Sequence, residues 1–225
     1  MRYPDSDGQP VADNTNQFRW IATIQGGLDA FFRQQPDVFI AGDLLWYPVQ
    51  GDPRTRIAPD VLVAFDRPKG ERGSYRQWRE AGIAPQVVFE ILSPTNTRAE
   101  MTRKAAFYLR YGVEEFYIYD PDTGEFVAYI RDRSGPEHDW RVLINPGAWL
   151  SPRLGIRFAL DEEKLVLERP DGRRIVSYVE LGRLYESERD WADLAEMQAN
   201  AERARAERLA ARLRALGIDP TDLES

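Results

Sequence analysis

The sequence predicts a mixed α/β or α+β fold: a body of short strands and two amphipathic helices, followed by a long C-terminal helix. Three observations carry this. Apolar runs of strand length, rich in Val, Ile, Phe and Tyr, recur through the first three quarters of the chain with turn residues between them. Two stretches instead space their apolar residues at three and four. The segment 186–216 is rich in Ala, Glu, Arg and Leu and contains neither Pro nor Gly.

Taken in order, a polar leader precedes a helix over Asn14 to Gln35, with Phe18, Ile21, Ile24, Leu28 and Phe31 on one face and Asn14 or Thr15 as N-cap. "DVFIAG" and "DLLWYPV" read as short strands. "RIAPDVLVAFD" reads as a longer one, in which Val61, Val63 and Phe65 alternate with Asp60, Leu62 and Ala64. "PQVVFEILSPTN" is a strand apolar on both faces, followed by a turn. "RAEMTRKAAFYLRYG" is a helix closed by Gly112. "VEEFYIYDPDTGEFVAYIRD" forms a hairpin turning through Pro121 to Gly124, Trp140 to Ile144 is a further strand, and "KLVLERPDGRRIVSY" a second hairpin. The domain division expected is a body over 1–186 and a helical, coiled-coil-like extension over 187–225. In the extension Leu194, Met197, Ala201, Ala204, Arg208 and Ala211 keep a heptad spacing, and Gly217 and Pro220 stop the helix. That seam, with its small Ala and one Arg, favours pairing with another chain or packing on the body over an independent zipper, and a homodimer, formed through the body or through this helix, is expected.

Composition narrows the function. Hydrophobic residues at 43% and charged residues at 30% are globular values. No run approaches the roughly 18 apolar residues of a membrane span, and the start is too polar for a signal peptide, so no membrane is involved and the cytoplasm is the expected compartment. The absence of cysteine removes disulfides, thiolate zinc sites and cysteine nucleophiles together. The one histidine, His138, lies in a turn-like loop and cannot by itself build a histidine metal cluster. A formal net charge of -7 argues against wholesale coating of nucleic acid. It does not exclude a local patch: "RPKGERGSYRQWR" holds Arg67, Lys69, Arg72, Arg76 and Arg79 with Tyr75 and Trp78 interleaved, a composition that meets phosphates and stacks on bases, or else a solvated loop.

Chemistry enters where charge sits against the pattern. Glu90 lies between Val88, Phe89, Ile91 and Leu92, where no polar face is available, and a lone buried carboxylate is kept only where a cation, a metal or donor groups compensate it. Asp60 is a second acid in an interior strand. In the helix that follows Glu90, Lys104 falls between Tyr108 and Tyr111 on the side of Met101 and Ala105, whereas Arg103 and Arg110 face solvent. Two inward carboxylates and an inward lysine fit a hard divalent cation: Asp60, Glu90 and a backbone carbonyl could hold Mg²⁺ or Mn²⁺, with Lys104 beside the reacting phosphate. A snorkelling lysine packed on the tyrosines is the plainer reading of Lys104 alone.

The segments "APDVLVAFD" and "VVFEILSPTNTRAEMTRKAAFYLRYGVEEFYIYDP", preceded by "GDLLWYPVQGDP", resemble the Uma-two family of restriction endonucleases, a branch of the PD-(D/E)xK nuclease superfamily. The likeness covers most of Phe39 to about Gly172. It implies a restriction-endonuclease-like central mixed sheet flanked by helices and a Mg²⁺- or Mn²⁺-dependent endonuclease acting on DNA, with no organic cofactor. By motif, Asp60 and Glu90 are the two acids and the Ile91 carbonyl a third metal ligand. The lysine expected two residues after Glu90 is absent, Leu92 standing there, and Lys104 is its replacement. The catalytic set is then Asp60, Glu90 and Lys104. From composition, Lys69, Arg72, Arg76 and Arg79 are the candidate nucleic-acid contacts; Asp43 and Ser93 are candidates to support the site from behind, although an Asp after Gly more often forms a turn and Ser93 reads first as a cap of the following helix. Two other readings remain: a nuclease-fold module that binds nucleic acid or protein with little catalysis, and an oligomerisation protein built on the C-terminal helix.

Overall fold

A computed structural model describes residues 3–6, 8, 11–132, 139–162 and 164–215, with backbone alone for 212–215. The chain divides into two units, 1–177 and 178–225. The division expected at 186/187 therefore falls nine residues earlier, because the helical pattern begins at Tyr178.

The first unit is built on a six-stranded sheet of β1 (Val38–Gly42), β3 (Val61–Phe65), β5 (Val87–Ile91), β6 (Glu115–Tyr119), β7 (Phe126–Asp132) and β8 (Asp139–Ile144), in that spatial order. Every pairing is antiparallel except β5 with β6. That parallel pair needs a crossover, and α2 (Arg98–Tyr111) supplies it. The body is thus the mixed sheet with flanking helices that the sequence predicts. Thr97 caps α2 by accepting from the Glu100 amide at 3.2 Å, and Gly112, at φ +107°, ends it in the left-handed conformation that a side chain disfavours.

Both faces of the sheet are covered, which explains strands with no polar side. On one face lies α1 (Thr15–Phe31), with a four-stranded sheet of β9 (Ala148–Leu150), β10 (Arg157–Asp161), β11 (Lys164–Glu168) and β12 (Arg174–Ile175) sharing the same core. Val61, Val63, Val87, Phe89 and Ile91 point this way. On the other face α2 packs with a two-stranded parallel ladder, β2 (Trp46–Tyr47) and β4 (Tyr75–Arg76), and Leu62, Ala64 and Val88 meet Met101, Ala105 and Tyr108 there. Strands β9 and β10 carry no strong pattern in sequence and were not anticipated. At Gly27 the side chain of Ile175 approaches so closely that an added Cβ would lie 2.0 Å from Cγ2, so α1 and β12 can pack only through a glycine.

Helix α1 is shorter than its periodicity implies, ending at Phe31, and its buried stripe runs Gln17, Ile21, Ile24, Leu28 rather than through Phe18, which is 54% exposed. Asn14 is the N-cap, its Oδ1 accepting from the Gln17 amide at 2.8 Å.

The second unit is α3 (Tyr178–Ala215), whose described side chains are exposed almost throughout. The stop signal at Gly217 and Pro220, and His138, lie outside the described residues. No helix among the described residues is long and apolar enough to cross a membrane.

Candidate active site

Strand register builds the site. The ladder of β3 on β5 pairs Val61 with Phe89 and Leu62 with Val88, so one further step sets Asp60 opposite Glu90. Directly opposed residues of an antiparallel pair project to the same face about 4.5–5.5 Å apart at Cα. That face is the α2 side. The same step on β1 sets Asp43 opposite Asp60, and the Asp43 amide donates to the Asp60 carbonyl at 3.2 Å. Three acids thus occupy one row across three adjacent strands, at the end where β3 begins and β5 finishes.

Glu90 is 2% exposed. Lys104 Nζ stands 2.8 Å from its Oε2, and the Tyr108 hydroxyl donates to its Oε1. Lys104 also lies 3.9 Å from Glu100, one turn back on α2. Asp60 Oδ2 accepts from the Ile91 amide at 2.6 Å. The Ile91 carbonyl accepts from Gln17 Nε2 at 2.8 Å, so α1 reaches through from the other face and fixes the last peptide of β5.

These contacts set the charges. Burial, then the neighbouring Glu90 and more weakly Asp43, push the Asp60 carboxyl well above its ordinary value, against the Ile91 hydrogen bond and the Lys104 charge. Burial also raises Glu90, opposed by Lys104 and Tyr108. Burial works against the Lys104 ammonium, but Glu90, with Asp60 and Glu100, outweighs it and holds Lys104 protonated. The arrangement is one strongly held cation beside two carboxyls that resist being ionised together.

The sequence-derived residues divide clearly. Asp60, Glu90, Lys104 and the Ile91 carbonyl come together, and Arg103 and Arg110 are exposed as expected. Asp43 joins the row at φ +48°, a turn conformation, and acts on Asp60 through its charge. Among the described residues no three His, Cys, Asp or Glu side chains converge into a ligand cluster, so Asp43 does not complete one. Ser93 does not cap α2, a position held by Thr97. Its hydroxyl donates to Asp13 Oδ2 at 2.6 Å, tying the approach to α1 onto the turn after β5.

The basic segment lies mostly elsewhere. Lys69 pairs with Asp29 at 2.9 Å, twelve residues down α1 from Gln17 and hence about 18 Å along its axis at 1.5 Å per residue. Arg72 makes a two-pronged ion pair with Glu80, at 2.8 and 3.2 Å, and lies 3.8 Å over the Phe39 ring. Phe39 is four residues before Asp43, about 13 Å along the strand. Both side chains fasten the loop 66–86 to the body. Arg76 donates to the Ser74 hydroxyl at 3.1 Å, to the Tyr3 carbonyl at 3.3 Å and to the exposed Asp5 at 3.4 Å, and it lines with Arg79 a hollow of about 300 Å³ that Asp5, Arg72 and Glu80 share.

Two site residues escaped the sequence reading. Gln17 sits in register with Ile21, Ile24 and Leu28, an inward polar residue in an apolar stripe, and that signal was legible. Tyr108 was read as packing for Lys104; its hydroxyl partner becomes visible only once the strand is placed.

The family model for Uma2, described as "Putative restriction endonuclease", matches residues 2–167. No curated protein matches. Among solved structures, one described as "a putative nuclease belonging to DUF820 from Anabaena variabilis ATCC 29413" is similar at 17% identity and a TM-score of 0.47, over 69% of this chain and 78% of that chain. With nearly three quarters of its length matched by the family model, the chain belongs to the Uma2 family.

Proposed function

We propose that this member of the Uma2 family is a Mg²⁺- or Mn²⁺-dependent endonuclease that hydrolyses DNA phosphodiester bonds at Asp60, Glu90 and Lys104. The observation that carries the reading is the placement of two carboxyls opposite each other on adjacent strands, each pushed up by burial, beside a protonated lysine. A structural ion pair needs one acid for one base; the second acid adds only repulsion unless another cation joins.

The donors fit a hard divalent ion. A carboxylate offers about four lone-pair sites, and Glu90 uses two and Asp60 one; the Ile91 carbonyl keeps one beyond its bond from Gln17. Asp60, Glu90 and the Ile91 carbonyl would hold the ion. When bound it supplies polarisation of the phosphoryl group and eases deprotonation of water. The chain's own groups do the rest. Lys104 presents an ammonium, held against Glu90, to the charge that grows on the phosphate oxygens. Tyr108 fixes the Glu90 carboxylate, and Gln17 fixes the carbonyl of Ile91, the residue whose amide binds Asp60. Arg76 and Arg79, which line one hollow together, are the proposed backbone contacts to DNA.

The test is cleavage of supercoiled plasmid and of single-stranded oligonucleotide with Mg²⁺, Mn²⁺ or EDTA. Cutting is expected only with metal. Asp60→Ala removes it, and Lys104→Ala removes turnover while leaving calorimetric metal binding intact. Arg76→Ala with Arg79→Ala weakens DNA binding and flattens its salt dependence. No cutting of any substrate despite metal binding, or cutting unchanged in Asp60→Ala, would refute the proposal; the first result would leave a nucleic-acid-binding module.

A further inference from the structure

We propose that α3 pairs antiparallel with the α3 of a second copy of this chain, each chain's Asp190 facing the other's Arg208. The helix exposes Leu194 (45%), Met197 (69%) and Trp191 (72%) to solvent, far more apolar surface than a solitary helix keeps in water. Its heptad seam, extended one turn toward the N-terminus, reads Ser187, Asp190, Leu194, Met197, Ala201, Ala204, Arg208, Ala211.

The order of sizes and charges along this seam selects the orientation. In a parallel pair each position meets itself, so Arg208 faces Arg208, Asp190 faces Asp190, and Ala201 and Ala204 leave voids. Reversing one helix about a two-fold axis near Ala199 pairs Met197 with Ala201, Leu194 with Ala204, Asp190 with Arg208 and Ser187 with Ala211. Every large residue then meets a small one, and both charges are matched. The paired length is roughly 37 Å at 1.5 Å per residue. Beside the seam Trp191 comes alongside Arg205, a favourable cation–ring contact. Asp193 and Glu207 meet as like charges, but at the solvated rim, where salt screens them. In the single chain Arg208 Nε binds its own Ala204 carbonyl at 3.1 Å, which leaves the terminal guanidinium nitrogens for the partner's aspartate.

The chain has no cysteine, so introduced thiols report orientation without interference. Full-length Leu194→Cys and Ala204→Cys are prepared separately, mixed after reduction and oxidised gently. The expected result is a disulfide-linked dimer from the mixture and none from either variant alone. Light scattering on the wild type gives a dimer, and Arg208→Asp raises its dissociation constant about tenfold or more, because Asp190 then faces an acid. Disulfide dimers from the separate variants would show a parallel pair, and a wild-type monomer, or a dimer indifferent to Arg208→Asp, would overturn the proposal outright. None of these readouts depends on nuclease activity.

Discussion

Two buried acid centres occupy opposite faces and opposite ends of the six-stranded sheet. At the Asp60–Glu90 end, burial raises both carboxyls, Lys104 opposes the rise in each, and the Glu90 charge pushes Asp60 further toward protonation. At the start of β6, Glu115 is equally buried, at 1% exposure, but it stands alone and is enclosed by donors. The Tyr117 and Ser151 hydroxyls donate to its Oε2 and the Arg153 amide to its Oε1 at 2.7 Å. Glu115 thus fastens the turn between β9 and β10 to the main sheet. The difference suggests a criterion for telling a structural buried acid from a candidate site: the former is enclosed by neutral donors, whereas the latter faces a second acid and keeps more acceptor capacity.

The widest separation between the two centres is expected in catalysis. Glu90→Gln keeps the shape and the Tyr108 contact but removes the charge, and cleavage per folded molecule should fall by roughly 10²–10³-fold. Glu115→Gln should cut at the wild-type rate. Equal loss in both proteins, measured with fold checked by circular dichroism, would erase the distinction.

Stability should show the reverse order. Glu115→Ala strands two hydroxyls and an amide in the interior and should cost about 2–4 kcal/mol in urea unfolding. Asp60→Ala should cost less than about 1 kcal/mol, and can stabilise, since it removes a repelled carboxyl. A ranking with Asp60→Ala as the larger loss would mean that the site is held together by its acids.

A metal titration sharpens the contrast. Mg²⁺ or Mn²⁺ at about 100 times its dissociation constant should raise wild-type stability by about 2.7 kcal/mol, and should leave Asp60→Ala nearly unmoved. Glu115→Gln should respond like wild type.

The smallest effect is in pH. Burial raises the Glu115 carboxyl above its unfolded value, against its three hydrogen bonds. Between the two values the native chain holds the proton more tightly. The contribution is therefore full below the unfolded value of about 4.3 and is lost as pH rises through the higher folded one. Wild type should lose stability over that window, by urea midpoints at successive pH values, and Glu115→Gln should lose less. Identical slopes would place the Glu115 proton outside the folding balance.

Much was legible beforehand because local rules were strong. The bounds of α2 follow from Thr97, the tyrosine–alanine face and Gly112, all within one stretch of chain. Glu90 and Lys104 stood out because each broke a pattern whose period is fixed by backbone geometry. The same logic, applied to Gln17, would have found the hold on Ile91. It would also have flagged Glu115 beside Glu90, since both are acids within apolar strand runs.

The sequence by itself therefore determined which charges of the strands and of α2 point inward, because hydrophobic period and helix rotation depend only on neighbours in the chain, although on α1 it placed Phe18 where Gln17 is buried. Only the tertiary structure decided what each inward charge meets. Register set Asp60, rather than a donor, across from Glu90, and a turn some 36 residues downstream brought Ser151 and Arg153 onto Glu115. It also tied Lys69 and Arg72 to Asp29 and Glu80, away from the acid row. Such pairings rest on strand order and loop closure, which bring together groups that local sequence leaves far apart.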